Sequence, residues 1–213
     1  MLKRFQQITN SVVQFVNSLS GVNRKTLDAF VPRKMRTTLF EQAKYCTKTG
    51  LVVGPLGQIS MRLSADKLLV TTSGTSFSRI SDQDLILVSF TGEGGTTAED
   101  SIQNLDWYRA VFQNKEAKAV LLCQPAAALS LASNPVELNT EWMQDAPGVI
   151  GQIGFAEQDQ AGDHAFATSH QVILIKGKGM LSWGSSLEEA IGRAEVAERW
   201  CQVAINFSKL ESE

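Results

Sequence analysis

The stretch Gly54-Pro-Leu-Gly-Gln-Ile-Ser-Met-Arg62, followed by Lys67-Leu-Leu-Val-Thr-Thr72 and closed by Ser73-Gly74, decides how the chain is read. A glycine loop enters a first strand, a second strand follows, and a tight turn ends it. A glycine before a strand lets backbone amides come close to an anion, because no Cβ stands in the way. The hydroxyls of the Thr-Ser-Gly turn add donors beside those amides. The same residues also suit a plain β-hairpin in which Gly and Ser serve only turn geometry. Two readings stay open: an anion cradle at Gly57, Gln58, Ser73 and Gly74, or ordinary turn chemistry.

Working outward, the patterns predict strands at about 51–62, 67–72, 84–90, 117–124 and 171–184, with helices at about 36–49 and 98–113. A last helix from about Leu187 to Leu210 has Ala190, Ile191, Ala194, Ala197, Val203 and Ile205 to form one buried face. The stretch from Asn134 to Gln171 reads as irregular, since it holds Pro135, Pro147, Gly148, Gly151, Gly154 and Gly162. Hairpin strands mixed with helices predict an α/β sandwich rather than a strictly parallel fold. In residues 1–30, Phe5, Ile8, Val12, Phe15, Val16 and Leu19 recur at helical spacing, and Ser20-Gly21 stops the pattern. An N-terminal helical extension (1–30) therefore precedes one domain (31–213), where it packs on that domain or forms a subunit contact.

Composition narrows the function classes. A chain of 213 residues with net charge −2 carries no nucleic-acid footprint. No run approaches the ~18 apolar residues of a membrane span. After Met1-Leu-Lys-Arg4, the polar residues Gln6, Gln7, Thr9, Asn10 and Ser11 interrupt any signal-peptide core, so a cytoplasmic location is expected. Cys46, Cys123 and Cys201 are odd in number and far apart, as expected of buried reduced thiols. The two histidines, His164 and His170, could hold a metal only with a third partner such as Asp159 or Asp163; otherwise they are surface groups.

Five segments in order resemble the class II aldolase/adducin family. The opening hairpin is similar to that family's Gly-Asn-Ile-Ser-x-Arg and Thr-Pro-Ser/Thr-Gly signature. Ser81-Asp-Gln-Asp-Leu-Ile-Leu-Val-Ser89 looks like its Asp-Leu-Val-x-Val strand. Ala119-Val-Leu-Leu-Cys-Gln-Pro-Ala-Ala-Ala-Leu-Ser130 resembles its Ala-Val-Val-His-x-His-Pro and Ala-Leu-Ser. Val172-Ile-Leu-Ile-Lys-Gly-Lys-Gly-Met-Leu-Ser-Trp-Gly184 resembles its Leu-Leu-x-Asn-His-Gly-Val-Leu-x-x-Gly, and the helix opening at Ser186-Leu-Glu-Glu-Ala-Ile191 follows the same pattern. The resemblance spans roughly residues 37 to 208. It implies a three-layer α/β/α sandwich with a central, mostly antiparallel sheet. It further implies likeness to zinc-dependent sugar-phosphate aldolases such as fuculose-phosphate aldolase, and ring-like oligomers with the site at the subunit boundary.

The same resemblance exposes substitutions. In the family's aldolases, three histidines hold zinc, two from His-x-His and one from Asn-His-Gly. The matching positions here are Leu122, Gln124 and Lys178, none of them a suitable zinc ligand. The family's loop Asn is Gln58. The family's acid/base Glu, which opens a helix after Ser-Ser, matches Glu99 by local similarity within Thr96-Thr-Ala-Glu-Asp100. Counted from the helix end near Phe112, it matches Asn104. Alternatively, Thr97 and Asp100 simply cap the helix. A Cys123 thiolate could bind metal or attack an electrophile, but strand alternation turns that side chain away from the site. Lys178 could hold an anion, polarise a carbonyl or form a Schiff base, unless it is a solvated lysine beside Lys176.

The expectation is a catalytically degenerate family member, without a cofactor and free of nucleic acid and membrane. It would keep a pocket for a small phosphorylated metabolite or an inorganic anion, and it would form a homo-oligomer. One alternative is an active aldolase or epimerase-type lyase working through a relocated metal or through Lys178, with Glu99 as acid/base. Another is a structural or regulatory partner of a ligand-complete paralogue.

Overall fold

The computed structural model describes residues 24–89, 102–136, 138–163 and 169–210. In chain order its strands are β1 (Gln58–Arg62), β2 (Lys67–Thr71), β3 (Leu85–Ser89), β4 (Ala119–Cys123), β5 (Ile153–Ala156), β6 (Val172–Ile175) and β7 (Gly179–Gly184). Its α-helices are α1 (Arg24–Phe30), α2 (Arg33–Lys48), α3 (Leu105–Phe112), α4 (Ala126–Ser133), α5 (Ala146–Ile150) and α6 (Leu187–Leu210). The expected N-terminal helix over 1–19 lies outside the described residues. Leu27 of α1 and Val31 just after it are buried against the main core. No helix among the described residues is long and apolar enough to cross a membrane.

The strands lie in the order β3-β2-β1-β4-β7-β6-β5. Every pair is antiparallel except β5 beside β6. Ala119-Val-Leu-Leu-Cys123 is apolar at every position, and such a run belongs in a central strand covered on both faces. Accordingly β4 is the middle strand and all of its residues are buried. Its alternation divides two cores. Ala119, Leu121 and Cys123 face α2, α4, α5 and α6, whereas Val120 and Leu122 face α3. The sheet is thus the middle layer of an α/β/α sandwich.

Each outer layer is held by an apolar stripe. In α6 the buried residues Leu187, Ala190, Ile191, Ala194, Ala197, Trp200, Cys201 and Ala204 recur every three or four positions. Val203 and Ile205, expected on that face, are only half-buried, and Trp200, Cys201 and Ala204 take the place instead. In α3, Tyr108, Val111 and Phe112 are almost completely buried. Burying side chains of the Val and Phe class contributes about 1.5–3 kcal/mol each.

Several expected boundaries shift. The strand expected over 171–184 is a hairpin, β6 and β7, because Gly177 (φ +69) and Gly179 (φ +94) reverse the chain between them. The first strand starts only at Gln58, since Gly54 (φ +57) and Pro55 hold the preceding segment in a loop. The helix expected from 98 is described only from Leu105. The stretch expected to be irregular contains α5 and β5, and α4 has no counterpart among the expected elements. β5 has only four residues and pairs in parallel with β6, so it carries little periodic signal of its own.

Candidate functional site

β1 begins, β2 and β4 end, and β7 begins at one edge of the sheet, where a cleft of about 80 Å³ opens. Gly57, Gln58, Ser73 and Gly74 line it from the hairpin side. Leu122, Gln124 and Lys178 line it from the β4 and β7 side. Residues distant in sequence therefore meet: Gln58 pairs with Leu122 across β1 and β4, and Cys123 pairs with Met180 across β4 and β7. Pro55, Leu56, Gln103 and Asn104 complete the wall.

On the hairpin side the polar groups are tied to one another. The Gln58 side chain is buried. Its Nε2 donates to Thr71 O at 3.3 Å and to Ser73 Oγ at 3.0 Å. Its Oε1 accepts from the Tyr108 hydroxyl at 2.9 Å. Tyr108 is fully buried on α3, and desolvation pushes its phenol pKa up, so it stays protonated. Ser73 Oγ also accepts from the Gln103 amide at 2.7 Å. The Thr71 hydroxyl accepts from the Ile59 amide at 3.0 Å and so locks the corner of β1 and β2.

Two glycines shape this corner for different reasons. Thr75 N–H closes onto Thr72 O at 3.3 Å with Gly74 at φ +83, the geometry of a type II turn that needs glycine at its third position. At Gly57 the constraint is packing. A Cβ there would stand 2.7 Å from the Val52 side chain and 3.2 Å from Phe77.

The β4–β7 side differs. Gln124 and Lys178 are half-buried, and neither side chain has a hydrogen-bond or ion-pair partner among the described residues. Lys178 closes the β6–β7 turn through its backbone, N–H to Ile175 O at 3.0 Å, and lines the cleft. Gly179 permits this close approach: a Cβ there would lie 2.4 Å from Cys123 O and 2.9 Å from Gln124 Cα. Next along the chain, α4 begins with its first amides already satisfied, since the Glu198 carboxylate accepts from Ala127 at 3.1 Å and from Ala128 at 2.8 Å. The N-terminus of α4 is therefore occupied by the protein itself.

Of the two positions weighed for the acid/base carboxylate, Glu99 lies outside the described residues, as do Thr97 and Asp100. Asn104 does line the cleft. It precedes α3 in the left-handed region (φ 60, ψ 30), where Asn is tolerated better than most residues. Gln103 and Tyr108 were missed by sequence reasoning. The helical spacing marks Tyr108 as a core residue, and nothing in it signals the hydroxyl's contact with Gln58.

Cys123 does not face the cleft. It is buried in the opposite core with Cys46, and burial holds its thiol well above the ordinary range. His164 is outside the described residues. His170 has a contact between Nδ1 and Ser169 Oγ at 2.8 Å, and no group of three His, Cys, Asp or Glu suited to a metal occurs among the described residues.

Two larger grooves lie elsewhere. One, of about 570 Å³, runs between α2 and α6, where Tyr45 donates to Glu195 at 2.7 Å. The other, of about 640 Å³, lies beside Arg62. There the guanidinium is spent on the carbonyls of Phe112, Asn114 and Ala117. Neither is lined by any of the candidate residues Gly57, Gln58, Ser73, Gly74, Leu122, Gln124 or Lys178.

The cleft's donor set does not fit zinc. Leu122 has no donor atom, Gln124 offers a neutral carboxamide, and Lys178 brings a positive charge.

Comparison with known proteins places this geometry. The YgbL protein of Klebsiella pneumoniae, described as a putative aldolase/epimerase/decarboxylase, superposes with a TM-score of 0.72 at 19% identity, covering 82% of this chain and 89% of that one. The L-fuculose-1-phosphate aldolase of Thermus thermophilus gives 0.68 at 19% identity over 83% and 95% of the two chains. The sugar-phosphate aldolase of Thermotoga maritima gives 0.62 at 19% identity over 83% and 97%. At such identities the likeness is one of fold. No curated protein matches the sequence. Residues 37–205 match the family described as the class II aldolase and adducin N-terminal domain, and the chain belongs to that family.

Proposed function

We propose that this chain is a family member whose cleft binds a small oxyanion without metal-dependent chemistry. One observation carries the reading. The three positions that resemble the family's zinc ligands converge on a single cleft, and they supply an aliphatic chain, a carboxamide and an ammonium group. Lys178 gives positive charge, and Ser73 and the Gly74 turn stand opposite it with further donors. An inorganic phosphate, or the phosphate end of a small metabolite, has the charge and the acceptor oxygens such donors need. Among the described lining residues there is no carboxylate or imidazole to move a proton. Binding without bond cleavage is the chemistry these groups support. Three buried thiols suit a reducing, cytoplasmic setting.

The test is thermal unfolding with sulfate against chloride at matched ionic strength, together with elemental analysis of protein purified without chelator. Sulfate should raise Tm more than chloride does, and the difference should vanish in Lys178→Met. Stoichiometric zinc that disappears in Gln124→Ala would overturn the reading.

A second reading, lysine-based aldehyde chemistry, is favoured by the partnerless ammonium of Lys178 at the cleft. Borohydride trapping with glycolaldehyde separates the two: selective labelling of Lys178 supports it, and labelling spread over surface lysines rejects it. Self-association belongs to the proposal as well. Val53 and Leu56, on the loop beside the cleft, are 62% and 48% exposed. Light scattering at about 100 μM, well above a weak Kd of about 1 μM, should show more than a monomer.

A further inference from the structure

We propose that the groove between α2 and α6 seats a second copy of this chain, docked about a two-fold axis that runs along the groove and lays α2 of each copy over α6 of the other. The inference rests on the self-association proposed above and deepens it by naming a surface and a symmetry.

The two helices present matching faces. Glu41, Lys44, Tyr45 and Lys48 follow the spacing i, i+3, i+4, i+7 and so share one face of α2. Glu188, Ile191, Gly192 and Glu195 repeat that spacing on α6. Between the two faces lies the groove of about 570 Å³. The Tyr45 hydroxyl spans it, donating to Glu195 at 2.7 Å. Glu41, Lys44, Lys48 and Glu188 make no ion pair among the described residues, although they line the same groove.

Gly192 points to close approach by another element. A glycine inside a helix is less favourable than alanine, so its presence asks for a reason. Gly184 has one within the chain, since a Cβ there would lie 2.8 Å from Ala190 N. Gly192 has none, because a Cβ there would meet nothing within 4 Å. What a bare backbone offers at a groove is a hollow into which a neighbouring side chain fits. The Tyr45 ring, exposed on the other wall and steadied by Glu195, is the knob for that hollow in a second copy.

Charge selects the occupant and the axis. The α2 wall is net basic, with Lys44 and Lys48 outnumbering Glu41. The α6 wall carries Glu188 and Glu195 and no lining cation. A two-fold axis along the groove exchanges the walls, so that Lys44 and Lys48 of each copy face Glu188 and Glu195 of the other. An axis across the groove sets like charge on like instead. The contact is isologous, so each favourable pairing occurs twice.

The experiment measures the mass of the full chain by sedimentation velocity at about 100 μM, well above a weak Kd of about 1 μM. Wild type should be a dimer or a multiple of one. Lys44→Glu/Lys48→Glu and Glu188→Lys/Glu195→Lys should each associate at least about tenfold more weakly, because like charges then face each other. An equimolar mixture of the two variants should recover the wild-type mass, as should the chain carrying all four changes. Misfolding gives no such recovery. Gly192→Ala should raise Tm in dilute solution, where the monomer prevails, and yet weaken association, two opposite effects that a purely structural glycine would not give. Unchanged mass in the folded charge variants would overturn this inference, leave the groove to a different occupant and leave self-association through Val53 and Leu56 standing. Lost mass that neither the mixture nor the fourfold variant recovers would overturn the two-fold pairing. A monomeric wild type would overturn both this inference and the self-association.

Discussion

The two walls of the cleft are built on opposite plans. On the β1–β2 wall, the Gln58, Ser73 and Tyr108 side chains and the Thr71 carbonyl are hydrogen-bonded to one another, and of these groups only the Ser73 hydroxyl hydrogen has no acceptor among the described residues. On the β4–β7 wall, Gln124 and Lys178 hold polar groups that no described residue satisfies. A satisfied buried network rigidifies its surroundings, whereas polar groups left unpaired at a cleft are available to a ligand. The first wall is a frame and the second is a contact surface. If so, mutations in the frame should cost stability, and mutations in the contact surface should cost binding alone.

The backbone beneath the contact wall is the place to break this comparison most severely. Gly179 belongs to the frame although its neighbour Lys178 does not. Gly179→Ala adds a methyl at φ +94 and drives it into Cys123 O and the Gln124 backbone. Left-handed strain of about 1–3 kcal/mol adds to an overlap penalty of similar size, so a loss of about 4 kcal/mol is expected from urea unfolding. Gly177→Ala is the control. Its φ is +69, but the nearest atom to a new Cβ is 3.6 Å away, so only the strain, about 1 kcal/mol, should be lost. Equal losses at the two glycines would mean that close approach to β4 does not hold the contact wall in place.

Tyr108→Phe tests the frame itself. Removing the hydroxyl leaves Gln58 Oε1 buried without its donor, which costs about 1–3 kcal/mol. Chemical denaturation should show that loss with an unchanged m-value. A variant as stable as wild type would mean that the Gln58 network is no frame.

The opposite face of the sheet provides a comparison in pH. Burial pushes the Cys46 and Cys201 thiols up to about 12, and Cys123 well above its ordinary value. A raised thiol pKa in the folded state means the native protein holds its proton where the unfolded chain releases it. The stability this contributes is fully present below the unfolded value of about 9 and is lost as pH rises toward the folded values. Each thiol should therefore remove about 1.4 kcal/mol per pH unit above about pH 9. Guanidinium titrations at pH 8, 9 and 10 measure this, and Cys201→Ala should reduce the slope by about one thiol's share. A slope that is flat to pH 10 would show the thiols to be less buried than the core packing indicates.

How much of this is legible in sequence depends on range. Ala119-Val-Leu-Leu-Cys123 announces a central strand because continuous burial leaves a continuous apolar run. The meeting of Gly57, Gln58, Ser73 and Gly74 with Leu122, Gln124 and Lys178 is also legible, because ordered motifs carry a known sandwich with them. What cannot be read is where side chains finish. Gln58 reads as an anion donor, yet both its hydrogens go to Thr71 and Ser73. Gly57 reads as room for a ligand, yet the space is filled by Val52. Tyr108 lies 50 residues from its partner, on a helix whose periodicity says only that the position is buried. β5 is short and takes its meaning from pairing with β6.

Lys178→Met is the smallest stability change expected and the sharpest test of the contrast between the walls. The ammonium has no partner among the described residues, so its removal breaks no bond. Methionine keeps the length and most of the apolar bulk of the lysine stem. Folding stability should therefore stay within about 0.5 kcal/mol of wild type, as for substitutions away from structural contacts. Sulfate binding should fall by about tenfold, which corresponds to about 1.4 kcal/mol of lost interaction. A frame residue cannot give this pattern, because its loss lowers stability before it touches binding. A destabilised Lys178→Met protein would mean that the lysine is paired within the fold. A stable variant with undiminished sulfate binding would move the anion's charge partner away from the β6–β7 turn.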